Sequence, residues 1–112
     1  MKNVTVVDTT SKYIVKSTGI GSETNLGYWL VDAKELTEGT NESKVSLIEC
    51  YHLIEGTGTL TISTGSEDLT LTGKGKYGLR PGQLKFGNDK QFKLTTDESV
   101  DSYLLVTEFR RN

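Results

Sequence analysis

Two short segments alternate strictly between aliphatic and polar residues. Thr59-Leu60-Thr61-Ile62-Ser63 and Asp68-Leu69-Thr70-Leu71-Thr72 each place their aliphatics on one side and their threonines or other polar residues on the opposite side. A period of two is the signature of a half-buried strand. The intervening Thr64-Gly65-Ser66-Glu67 has turn composition, so the pair predicts a β-hairpin. The same reading predicts strands over Lys12 to Lys16, Leu26 to Val31, Lys44 to Ile54, Tyr77 to Leu79, Gln91 to Leu94 and Ser102 to Phe109. In the Lys44 segment, Val45, Leu47, Tyr51 and Leu53 alternate with Ile48, Cys50 and Ile54, so both faces are largely apolar and both are expected to be covered. The last segment shares that property, with Leu104 and Val106 against Tyr103 and Leu105. Helix signals are nearly absent. Asp32-Ala33-Lys34-Glu35-Leu36 has the composition for one turn, which Gly39 and the polar cluster after it would end. About eight short strands separated by turn signals predict an all-β fold, a two-sheet β-sandwich or jelly roll.

Length and composition narrow this picture. The 112 residues suit one domain, 1–112, whose first ten residues could form an extended N-terminal arm. A chain of 12.3 kDa should fold to a surface of about 6,000 Å² from roughly 18,000 Å² unfolded. Only 34% of residues are hydrophobic. The core is therefore expected to be thin, as between two sheets, or to be completed by a partner subunit. A net charge of −2 argues against nucleic acid as a partner, since that function needs a clustered basic face. No apolar run approaches the roughly 20 residues of a membrane span. Met1-Lys2-Asn3-Val4 leads into no apolar stretch of the signal-peptide kind, so the expected location is the cytoplasm or a particle assembled there.

Candidate chemistry is sparse. Cys50 is the only cysteine, which leaves no internal disulfide and no thiolate cluster. On an apolar strand it reads as a small buried hydrophobe. His52 is the only histidine, and a metal centre needs several converging ligands. No Ser or Asp spacing around His52 suggests a triad, so a packed or interface histidine is expected. Gly73-Lys74-Gly75-Lys76 lacks phosphate-loop spacing and precedes a strand rather than a helix. It reads as a glycine-rich turn carrying two solvated lysines. Arg80-Pro81-Gly82-Gln83 fits a type II turn, with proline second and glycine third. These residues assign no catalytic group, no cofactor and no metal ligand.

Two resemblances add to this reading. Glu49-Cys50-Tyr51-His52-Leu53-Ile54-Glu55-Gly56 resembles the first motif of the small cupins, in which a Glu precedes an aromatic-aliphatic strand ending in Glu-Gly. The two histidines that the motif places before the Glu are absent, with Ser43, Lys44 and Val45 there instead, and the second-motif histidine would fall near Gln91 or Lys93. The resemblance implies a metal-free cupin-like module binding a small molecule where Glu49, Tyr51 and Gln91 converge. A lyase or isomerase using Glu49 with Tyr51 is a further option.

The second resemblance spans most of residues 12–108. Lys12 to Thr24, Val31-Asp32-Ala33, Lys44-Val45-Ser46, Leu71 to Gln83, Leu94-Thr95-Thr96 and Asp101 to Val106 together resemble a family of small virion structural proteins of tailed bacteriophages. It implies a non-enzymatic capsid decoration or cement subunit in the virion, assembled in the host cytoplasm. Its partner would be a phage shell protein such as the major capsid protein, and it would form a homo-oligomer, a trimer among the options. The two-faced apolar strands fit that role, because further subunits would cover them.

Overall fold

The computed structural model describes residues 2–20, 29–65, 67–78 and 86–112. Among them are ten strands: β1 (Lys2–Asp8), β2 (Lys12–Ile20), β3 (Trp29–Asp32), β4 (Val45–Gly56), β5 (Leu60–Ser63), β6 (Asp68–Leu71), β7 (Lys74–Tyr77), β8 (Phe86–Asp89), β9 (Gln91–Thr96) and β10 (Val100–Arg111). They form a six-stranded sheet, ordered β1-β2-β10-β4-β7 with β8 also on β4, and a four-stranded sheet ordered β3-β9-β5-β6. Every pairing in both sheets is antiparallel. The fold is therefore the all-β, two-sheet sandwich of the jelly-roll kind that the alternation predicts.

One core lies between the sheets. The six-stranded sheet contributes Tyr13, Val15, Val45, Leu47, Cys50, Ile54, Tyr103, Leu105 and Phe109, and the four-stranded sheet contributes Leu30, Val31, Leu60, Ile62, Leu71, Phe92 and Leu94. Phe92 meets Phe109 edge-on across the two sheets, with ring centroids 5.0 Å apart, a favoured aromatic geometry. Two polar side chains in this layer have partners. Buried Ser17 donates its hydroxyl to Asn3 at 2.7 Å, and buried Thr107 donates to the Val15 carbonyl at 3.5 Å.

The predicted hairpin is present. Leu60 pairs Leu71 and Ser63 pairs Asp68, with the Thr64 amide donating to the Glu67 carbonyl at the turn. The predicted single helical turn is a 3₁₀ turn at Ala33–Glu35. Several details differ from the sequence reading. Ten strands replace about eight. Residues 2–8 are an edge strand on β2, not a free arm, because Lys2 to Asp8 finds a register from Thr18 to Tyr13. Lys74 to Tyr77 is strand β7, paired to Cys50–Leu53 of β4, so its lysines do not sit in a solvated turn. The strand expected over Leu26 to Val31 is described from Trp29 onward. The Arg80–Gln83 turn lies outside the described residues.

The largest correction concerns β4. The β4–β10 register shifts between Glu108 and Phe109, so that Glu108 faces Glu49 while Phe109 faces Leu47. The extra residue, Ile48, is a bulge that resets the alternation. Val45 and Leu47 therefore share the inner face with Cys50 and Ile54, while Tyr51 and Leu53 point outward. Among the described residues nothing covers this half of the outer face of β4: Tyr51 is 53% exposed and Leu53 38% exposed.

Candidate functional site

The outward face of the six-stranded sheet follows from the register. Along β10 the outer positions are Ser102, Leu104, Val106 and Glu108, since Tyr103, Leu105, Thr107 and Phe109 are buried inward. Leu104 lies between Thr18 of β2 and Leu53 of β4, and Val106 between Lys16 and Tyr51. Outside these, Lys74 of β7 faces Leu53 and Lys76 faces Tyr51, while β1 sets Val4 beside Lys16 and Lys2 beside Thr18. Leu104, Val106, Leu53 and Tyr51 thus form a contiguous apolar centre. Ile20 (70% exposed) lies at one end of it, and Val4 (47% exposed) lies beyond Lys16 on β1.

With Lys74, Gly75 and Lys76, the centre forms an open dish of about 440 Å³. Tyr51 forms its wall and is held in place by charge. The Lys76 ammonium lies 4.9 Å from the Tyr51 ring centroid and 2.6 Å from a Glu49 carboxylate oxygen. The hydrogen bond to Glu49, with a further one to Tyr51, raises the Lys76 pKa above its ordinary value, so it stays cationic through neutral pH.

The residues singled out from sequence are distributed as follows. Cys50 is fully buried, and burial pushes its thiol up to about 12, which makes it a poor nucleophile at neutral pH. His52, half-buried beside Gly75 and bordering the dish, donates a hydrogen bond from Nδ1 to the Gly73 carbonyl at 3.1 Å. This bond joins β4 to the residue that leads into β7. Glu49 and Tyr51 face outward on the six-stranded sheet, whereas Gln91 sits on the four-stranded sheet and donates to Asp32 at 3.2 Å. The three do not converge, because Glu49 and Tyr51 point away from the four-stranded sheet that carries Gln91. Gln91 instead borders a smaller hollow of about 190 Å³ with Ser63, Thr64, Gly65, Asp89 and Lys93. Among the described residues, no three His, Cys, Asp or Glu side chains come together as a metal site would require. Sequence reasoning noted the two-faced character of β4 and β10 but missed Val4 and Ile20. The signal for Val4 was the alternation Lys2-Asn3-Val4, hidden by the threonine and valines that follow.

Comparison with known proteins returns no matching protein family and no matching curated protein. Two solved structures are similar in fold. A cupin domain from Bordetella pertussis Tohama I is 13% identical, with 99% of this chain and 92% of that chain covered and a TM-score of 0.47. A cupin-2 domain-containing protein from Shewanella frigidimarina NCIMB 400 is 11% identical, covering 94% of this chain and 78% of that one at a TM-score of 0.37. Likenesses this loose bear on neither function nor site, and the architecture rests on the strand pairing itself. Nothing in these comparisons supports the virion resemblance.

Proposed function

We propose that this chain is a non-enzymatic structural module that docks the outer face of its six-stranded sheet onto protein in a larger assembly. The observation that carries this reading is the unpartnered apolar centre of Tyr51, Leu53, Leu104 and Val106 on that face. The inner face of the same sheet already has its partner in the second sheet, and among the described residues this face has none. Contiguous exposed apolar surface rimmed by charge marks interaction sites. The resemblance of residues 12–108 to virion proteins favours a phage particle as that assembly, with a shell protein as partner; placement in a virion rests on that resemblance alone. Lysine footprinting tests the reading: Lys16 and Lys74 should be shielded from acylation in the native assembly and reactive in the isolated protein. Equal reactivity in both would refute it. A second reading, a small-molecule binder of the cupin-like kind, is favoured by the dish volume, which lies within the roughly 300–1,000 Å³ of ligand pockets. Its site would be the outer dish and not the barrel interior, and saturable binding of an apolar metabolite by a monomer would support it.

A further inference from the structure

The charges around the apolar centre are arranged by direction. Across the strands, the centre is flanked by lysines on both sides: Lys16 on β2, and Lys74 and Lys76 on β7. Along the strands, it is flanked by carboxylates at both ends. Glu55 faces Ser102 one step beyond Leu53, and Glu49 faces Glu108 one step beyond Tyr51 and Val106. Like charges directly opposite in a ladder are unfavourable. Lys76 answers Glu49, but the cross-strand neighbours of Glu108 are Ile14 and Glu49.

From this pattern we infer that the docking face takes a second copy of the same chain, related by a two-fold axis and with its strands crossing at about 90°. The inference rests on the docking reading above and adds the occupant. Strands about 4.8 Å apart and same-face residues about 6.8 Å apart set the positions of the charges. If the copies align, a two-fold parallel to the strands lays Lys76 over the partner's Lys16. A two-fold perpendicular to the strands, within the face, lays Lys74 over the partner's Lys76 and Glu55 over the partner's Glu49. Both aligned arrangements set like charge on like. Turning the second copy by a right angle exchanges the lysine flanks with the carboxylate ends, so Lys74 and Lys16 each meet a carboxylate while the apolar centres still coincide; Lys76 meets the partner's Ser102 on one diagonal axis and the partner's Glu49 on the other. Lys74 then meets the partner's Glu55 on one diagonal axis or the partner's Glu108 on the other. Orthogonal crossing is one of the two regular ways in which sheets pack, and an isologous face must be self-complementary. Four rows of outer residues on β2, β10 and β4, with two more on each of β1 and β7, cover about 520 Å² in plan, before side-chain relief is counted. That relief brings the area toward the roughly 800 Å² per partner of a standard interface, about an eighth of the 6333 Å² surface.

Charge-reversal variants of the full chain test this by light scattering and sedimentation equilibrium, with circular dichroism as a check on folding. The wild type is expected to dimerise. Lys74→Glu, Glu55→Lys and Glu108→Lys should each weaken self-association at least about tenfold. Mixing Lys74→Glu with Glu55→Lys should restore a heterodimer if the first diagonal holds, and mixing it with Glu108→Lys if the second does. Restoration by neither mixture, or variants that dimerise as the wild type does, would overturn the crossed arrangement. A wild type that stays monomeric at millimolar concentration would overturn the second copy as occupant. The docking reading fails separately, by unchanged lysine footprints in the native assembly.

Discussion

Gly73 and Gly78 end β7 on its two sides, and both have positive φ, +60° and +81°. The space around them differs. A Cβ on Gly73 would meet nothing within 4 Å, whereas on Gly78 it would run into the Ile48 carbonyl oxygen at the β4 bulge. An L-residue in the left-handed region costs roughly 1–2 kcal/mol, less for Asn. Gly73→Asn should therefore destabilise by under about 1 kcal/mol, and Gly78→Ala by more than about 2 kcal/mol, because it adds the steric conflict to the backbone strain. Urea denaturation of the two variants measures the difference; equal losses would mean that the Gly78–Ile48 approach is not tight. The glycine-rich character of this segment was legible in sequence. Which glycine is constrained was not, because the obstacle comes from a strand some thirty positions earlier.

At the scale of elements, Asp97 ties the start of β5 to the turn between β9 and β10. Its carboxylate accepts from the Thr59 amide at 3.0 Å, the Thr59 hydroxyl at 3.1 Å and the Ser99 amide at 2.9 Å. These bonds, the Thr59 amide first among them, hold its pKa below the ordinary 3.8. A carboxylate with a depressed folded pKa adds stability above its unfolded pKa and loses it as pH falls through the folded one. Asp97→Asn should therefore be less stable than the wild type at pH 7, and the gap should close as pH drops below about 4. Melting curves at pH 7, 4 and 3 check this; a gap constant with pH would exclude Asp97 as the source. The elements themselves were largely readable. The β5–β6 hairpin and the Ala33–Glu35 turn follow from local patterns, since neighbouring residues decide them. The β4 bulge did not follow, because a period-2 pattern that slips by one residue looks like a strand apolar on both faces. Strand β7 was hidden for the opposite reason: Lys74-Gly75-Lys76 has turn composition and becomes a strand only because β4 offers it a ladder.

For the whole molecule, the two faces of the six-stranded sheet do different work, and adjacent residues on β10 separate them. Leu105 is fully buried in the core, while Leu104 beside it lies half-buried in the outer apolar centre. Leu105→Ala removes core contacts and leaves a cavity, which typically costs about 2–5 kcal/mol. That cost belongs to the folded monomer and should not depend on protein concentration. Leu104→Ala removes a side chain that solvent already reaches in the monomer, so its cost in dilute solution should be under about 1.5 kcal/mol. If the outer face is covered by a partner copy, association stabilises the folded state by mass action, and the wild-type denaturation midpoint rises with concentration. The Leu104 variant should lose that rise, so its deficit relative to wild type grows as the protein is concentrated, while the Leu105 deficit stays fixed. Denaturation midpoints at micromolar and at near-millimolar protein supply the comparison. A Leu104 deficit that does not change across that range would mean that this face stays in water when copies of the chain are abundant. The apolar centre would then have to be explained by a different protein partner or by a ligand in the dish.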